Sequence, residues 1–325
     1  MRAGPALFML LLALSAMVAG LAVGSAPLSL SEVWRGLSDA SSENAIIIRE
    51  LRLPRVVAAF ACGGLLALAG VLLQALLRNP LADPYLIGVS GGASVAALLA
   101  MLLGAGVLWT GLASFGGALL ATTLVYLIGL RAAQLDRATV ILSGVVLAAG
   151  CGAVITLILV LVPQAQLRGM LFWLMGDVGY ATAPWAALAI LAVLTFAAVV
   201  LARQIDVLSL GEIKARSLGV RLDVLYSALY IISALAAAVA VTQCGTIGFV
   251  GLLIPHLLRL AGCRSHRALI PAAALLGGAF LSLTDTLGRS IVAPLQLPVG
   301  AMTALIGVPL LLYVLIKPRS AGLLH

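Results

Sequence analysis

The stretch that decides the fold begins Leu51-Arg52-Leu53-Pro54-Arg55 and runs through about twenty apolar residues. It then reads Arg78-Asn79-Pro80-Leu81-Ala82-Asp83-Pro84-Tyr85-Leu86-Ile87-Gly88-Val89-Ser90-Gly91-Gly92-Ala93-Ser94. A pair of arginines stands at one edge of a segment long enough to cross a bilayer. The chain breaks at prolines and glycine and re-enters the apolar phase through small residues. A simple anchor needs none of this. A pathway between packed helices does, because small residues let backbones approach closely in lipid.

Composition points the same way. Of 325 residues, 63% are hydrophobic and 9% charged, with a mean hydropathy of +1.21. Soluble domains carry about 25% charged residues, and a water-exposed surface this apolar would aggregate. The chain is therefore an all-α integral membrane protein, expected to form one transmembrane domain over 1–325. A net charge of +8 would suggest nucleic acid in a soluble protein. Here it reads as lysine and arginine on cytoplasmic loops, so membrane lipid and not nucleic acid is the expected surrounding. Cys62 and Cys151 lie in apolar runs, Cys244 follows one, and Cys263 sits in a basic loop. Their spacing matches no zinc pattern. They read as small apolar residues, with no metal site and no cofactor implied.

Ten spans are expected, near 5–23, 54–77, 86–104, 111–130, 138–162, 183–202, 222–242, 246–262, 268–286 and 297–316. The first has a second reading as a cleaved signal, since Met1-Arg2 precedes it and Ala22-Val23-Gly24-Ser25-Ala26 resembles a cleavage site. With the N-terminus inside, Arg35, Arg49, Arg52, Arg55, Arg168 and Arg289 lie outside, and the rest of the 19 lysines and arginines lie inside. That bias places both termini in the cytoplasm. It also makes the outside arginines unusual.

Outside, Leu28–Leu37 reads as a short amphipathic helix with Ser29 or Ser31 as cap. Arg52 and Arg55 stand at the edge of the second span, and Arg289 follows Asp285 by one helical turn, a spacing that suits an ion pair. Outside arginines can anchor lipid headgroups by snorkelling. Three separated ones at one face also suit carboxylates of a docking partner. Inside, the largest loop is 203–220. Ser209 with Glu212 has capping-box spacing, and Gly219 can end a short helix. Such a helix is either a connector or a lever gripped by a cytoplasmic motor. The chain has no G-x-x-x-x-G-K-[ST] phosphate loop, so any ATP would be bound by another subunit. Gly88, Ser90, Gly91 and Gly92 either pack helices or also line a pathway. His256, without ligand-spaced partners, reads as a structural hydrogen bonder paired with Arg259.

These stretches together resemble the FecCD family of ABC-importer permeases, which move iron–siderophore complexes, haem or cobalamin. The matching segments are RLPR (52–55), QALLRNPLADPYLIGVSGGAS (74–94), LSLGEIKARSLGV (208–220), GTIGFVGLLIPHLLRL (245–260), DTLGRS (285–290) and QLPVGAMTALIGVPLLLYVL (296–315). The similarity runs from about residue 5 to 317. The resemblance implies a homodimer in a bacterial cytoplasmic membrane, ten helices per copy, two copies of a cytoplasmic ATPase and an extracytoplasmic substrate-binding protein. Arg52, Arg55 and Arg289 would meet acidic residues of that binding protein. Ser209, Leu210, Gly211, Glu212, Arg216, Ser217, Leu218 and Gly219 would form the coupling helix, with Glu212 and Arg216 against the ATPase. The cytoplasmic gate would lie at Asp136, Arg137, Ala138 and Thr139. Relatives often carry small hydroxyl residues there, and Arg137 and Ala138 depart from that pattern. The mechanism implied is ATP-driven alternating access. A gradient-driven secondary transporter is the rival, with Asp285 as its main carboxylate. Against a membrane-embedded enzyme, the chain has no H-E-x-x-H, no Ser–His–Asp candidate set and no paired intramembrane aspartates. Pro84-Tyr85 and Ser90-Gly91-Gly92 favour ferric siderophore or cobalamin over haem as cargo.

Overall fold

The computed structural model describes residues 3–24, 27–131 and 136–316. Arg2, Lys317 and Arg319, counted above toward orientation, lie outside the described residues, as do Ser25 and Ala26 of the cleavage-like stretch. The helices are α1 (Ala3–Ala22), α2 (Leu30–Ser38), α3 (Leu53–Leu77), α4 (Val89–Leu102), α5 (Val107–Arg131), α6 (Arg137–Leu161), α7 (Gln164–Met175), α8 (Pro184–Leu208), α9 (Glu212–Ser217), α10 (Leu222–Cys244), α11 (Val250–Leu260), α12 (His266–Ser290) and α13 (Val299–Ile316).

Each of the ten expected spans corresponds to a helix: α1, α3 to α6, α8 and α10 to α13. Six are long and apolar enough to cross a bilayer by themselves. α1, α4, α11 and α13 contain shorter apolar helical stretches. Two of these start later than the apolar pattern suggests. Residues Pro84–Ile87 form a 3-10 turn, and Gly88 at φ +79° turns the chain into α4. Before α11, Gly245 at φ +68° and Phe249 at φ +70° hold the backbone out of the helix. Left-handed conformations cannot continue a right-handed helix, so hydropathy alone overran both starts.

α3 is the axis of the molecule. From Val56 to Leu77 every residue except Ala75 is buried. α1, α8, α10, α11 and α12 surround it. Hydrophobicity does not drive helices together in lipid, so close packing must. Gly63 faces the carbonyl of Gly277 in α12, and Gly70 faces that of Gly251 in α11; a methyl group on either would overlap backbone. α1 joins this core: Ala13 and Ala16 are buried, and Gly20 abuts Val56 and Thr286. α6 is the opposite case, largely uncovered along its most apolar window.

The amphipathic segment is α2. Ser29 caps it, with Ser29 Oγ accepting from the Glu32 amide at 3.3 Å and Glu32 Oε2 accepting from the Ser29 amide at 2.7 Å. Its other end is closed by Arg49, which donates to Gly36 O and Leu37 O at 2.9 and 2.7 Å.

Candidate functional site

Two polar clusters lie at opposite ends of α3, whose 25 residues span about 37 Å. At its start the three singled-out arginines converge. A carboxylate, a helix end and a loop hold them there. Arg55 donates to both oxygens of Asp285 at 2.9–3.2 Å and to Gln296 Oε1 at 2.9 Å, with Asp177 at 3.4 Å. Arg289 Nε lies 3.0 Å from Asp285, the one-turn pair expected from spacing, and Arg289 also donates to Gly20 O at 3.2 Å. Arg52 donates to Leu21 O and Ala22 O at 2.6 and 3.1 Å, placing its charge on the carbonyl end of α1, where the helix dipole is negative. Arg52 and Arg289 are buried, and both guanidinium groups lie beside Gly24. Arg52, Arg55 and Arg289, with Gly24 and Gln296, line a cleft of about 530 Å³. The sequence picked out the arginines and Asp285. Asp177 and Gln296 it did not, because they approach from more than a hundred residues away.

Between the ends, Gly88, Ser90, Gly91 and Gly92 open α4 beside α5 and α6. Gly92 meets the Gly117 carbonyl of α5, and Gly91 faces Cys151 and Ala148 of α6. Packing therefore accounts for Gly92. On α6, Gly150 and Gly152 have open space around them. The stretch before α4 is braced by Tyr85, whose hydroxyl accepts from Ile247 N at 2.7 Å and donates to Ile247 O at 3.0 Å. Burial pushes the Asp83 carboxyl up to about 6, although the Tyr85 amide it caps opposes that. Gln74 donates to Ala82 O and Gly251 O, both at 3.3 Å, and Arg259 donates to Gln74. Arg259, expected beside His256, is thereby anchored to α3. None of these roles for Gln74, Asp83 or Tyr85 was legible from spacing.

At the far end the segment 208–220 forms a helix only over Glu212–Ser217. Ser209 does not cap it. Ser209 instead closes α8, and its hydroxyl donates to Asp206 O at 2.6 Å. Gly211 at φ +111° supplies the start, a backbone conformation that leaves Ser209 pointing back toward α8. Gly219 at φ +82° ends the segment as expected, with Val220 N bonded to Ala215 O at 3.0 Å. Leu210, Ile213 and Leu218 are 59%, 84% and 65% exposed, while Ala215 is buried. Glu212 turns the other way. It pairs with Arg137, the first residue of α6, and lies 3.5 Å from Arg78 at the end of α3. Burial pushes the Glu212 carboxyl up, but the Tyr226 hydroxyl, Arg137 and Arg78 outweigh it and hold it below the usual range. Of the expected gate residues, Arg137 and Thr139 are half-buried and Ala138 is exposed. Asp136 caps α6 by accepting from the Thr139 amide and hydroxyl at 2.9 and 2.7 Å.

Comparison with known proteins places this arrangement. The FecCD transport family matches residues 9–317. The vitamin B12 import system permease protein BtuC of Shigella boydii serotype 18 is 37% identical over 298 residues, covering 90% of each chain. That of Serratia proteamaculans is 38% identical over 299 residues, covering 90% of this chain and 89% of the other. Among solved structures, an inward-facing metal-chelate type ABC transporter superimposes with a TM-score of 0.84 at 29% identity, over 96% of this chain and 98% of that one. PsaBC from Streptococcus pneumoniae, in complex with Fab, shares the fold at a TM-score of 0.58 and 17% identity, over 90% and 97% of the two chains.

Proposed function

The chain belongs to the FecCD transport family and is a membrane permease subunit of an ATP-binding-cassette importer; from that premise we propose that its cargo is a metal chelate of the cobalamin class, carried into a bacterial cytoplasm. The relatives named for vitamin B12 import support the cargo. Ferric siderophore is the second reading, favoured by the likeness to a metal-chelate transporter.

One observation carries the coupling mechanism. Leu210, Ile213 and Leu218 stand exposed around a six-residue helix in a polar connecting segment. Apolar side chains clustered in water mark a surface that a partner covers. The partner that fits is a cytoplasmic ATPase, one copy per permease in a homodimer, since this chain has no phosphate loop of its own. The uncovered length of α6 suits a pathway shared with the second copy. Both termini then lie in the cytoplasm, and the arginine cleft faces a substrate-binding protein. Carboxylates of that protein would exchange with Asp177 and Asp285 for Arg55, so docking would loosen the link from α3 to α12. ATP-driven movement of α9 would open the other end, and the chelate would pass between helices lined by small residues.

The test is reconstitution with the co-expressed ATPase in vesicles, offering cyanocobalamin, a ferric hydroxamate siderophore and haem, each with its binding protein. ATP-dependent accumulation of cyanocobalamin is expected. Accumulation of the siderophore alone would replace the cargo and keep the mechanism. Uptake that follows a proton gradient and ignores ATP would sink the coupling scheme.

A further inference from the structure

We propose that Glu212 is a positioning residue, a tether that fastens the coupling segment to the ends of α3 and α6 so that movement of α9 is delivered to both at once. The inference rests on the reading of 208–220 as the coupling segment, and it gives Glu212 a partner inside the chain instead of on the ATPase.

The geometry separates two sides of the coupling segment. Leu210, Ile213 and Leu218 are exposed, whereas Glu212 Oε1 meets the terminal guanidinium nitrogens of Arg137 and Arg78. Arg137 is the first residue of α6, one residue after its cap Asp136. Arg78 closes α3 in a left-handed conformation, φ +48°, so its side chain leaves the axis of α3 sideways toward α9. Arg137 also donates to the Tyr226 hydroxyl of α10 at 3.2 Å, and its guanidinium carbon lies 5.9 Å from that ring centre. One carboxylate thus gathers the ends of α3, α6 and, through Arg137, α10. Packed ion-pair networks of this kind can carry coupling between helices. The three side chains are 29–38% exposed, so solvent screens the pairs and their contribution is alignment more than stability.

The experiment measures geometry first, so that it does not depend on the cargo. Spin labels are placed at exposed Ala138 and Ser217 in a chain whose four cysteines are replaced, and the distance between them is read by pulsed EPR in the permease–ATPase complex. A narrow distribution is expected with and without ATP. Glu212→Gln should broaden it. Arg137→Gln should do the same to a smaller extent, since Arg78 stays paired, and the double variant should be no broader than Glu212→Gln alone, which already removes the Arg137 link. Cyanocobalamin taken up per ATP hydrolysed should fall at least about threefold in Glu212→Gln, the size of one half-exposed ion pair. A Glu212→Gln distribution as narrow as wild type overturns the tether. So does a Glu212→Gln permease that folds but no longer assembles with the ATPase, which would put Glu212 in that interface. Serine at Leu210, Ile213 and Leu218 tests the underlying reading separately. If that variant still assembles fully, the coupling surface lies elsewhere, while the distances in the permease alone still decide the tether.

Discussion

Replacing Asp285 by asparagine should destabilise the protein by about 3 kcal/mol. Asp285 is 3% exposed and is the shared counter-ion of two guanidinium groups, Arg55 at 2.9–3.2 Å and Arg289 at 3.0 Å. Removing one partner from a buried ion pair costs about 3–5 kcal/mol, because the remaining charge is left uncompensated. Arg55 keeps Asp177 at 3.4 Å and Gln296 at 2.9 Å, and Arg289 keeps Gly20 O at 3.2 Å. Those residual partners select the lower end of the range. At about 2 °C per kcal/mol for a chain of this size, Tm should fall by about 6 °C. Unfolding in detergent can be followed with a thiol-reactive fluorophore, since Cys62 and Cys244 are fully buried and their sulfurs lie 3.2 Å apart in the folded state. Adding Arg289→Gln should restore part of the loss, because the worse-compensated of the two charges then disappears. A single variant melting within about 1 °C of wild type would mean that the cluster is hydrated and not a buried anchor, and the argument from burial would fail.

Other outcomes follow from the same contacts. The folded-state Asp83 carboxyl titrates near about 6, above its unfolded value, so the folded state holds its proton more tightly. The stability this contributes is complete below about pH 4 and is lost as pH rises through about 6, by up to about 3 kcal/mol. Asp83→Asn, which can still accept the Tyr85 amide, should flatten that slope in melting curves taken from pH 4 to 8. Gly70→Ala would push a methyl into the Gly251 carbonyl and should lower stability by about 1–3 kcal/mol. Gly150→Ala, with open space around it, should change stability by no more than about 1 kcal/mol; equal effects at the two positions would refute the packing argument. Tyr85→Phe leaves the backbone N–H and C=O of Ile247 without the hydroxyl that serves both and should cost about 1–3 kcal/mol, seen as faster hydrogen exchange at Ile247.

Asp285 also decides between transport classes. A gradient-driven carrier needs a carboxylate free to take and release protons inside the membrane. Here the main candidate is held between two guanidinium groups, Arg55 at 2.9–3.2 Å and Arg289 at 3.0 Å. The ion pair with Arg289 expected from spacing is present, and Arg55 from α3 joins it.

Hydropathy was enough to find a helix at each of the ten expected spans, because burial in lipid demands continuous apolar runs whatever the helices pack against. The same local signals narrowed the cap of α2 to Ser29 or Ser31, of which Ser29 serves, and marked Gly219 as a stop and the Asp285–Arg289 pair, since each depends on residues within about one turn. They failed at Ser209, where a capping-box spacing was overridden by the left-handed turn at Gly211, and at the starts of α4 and α11, where positive φ angles interrupt an apolar run. Only the tertiary structure could show that α3 is the buried axis, that Asp177 and Gln296 complete the Arg55 site, and that Glu212 faces Arg78 and Arg137. Those contacts join segments tens to hundreds of residues apart. Nothing in a periodic pattern encodes them, because a bilayer rewards every apolar helix face alike and leaves backbone shape and a few polar side chains to choose the neighbours.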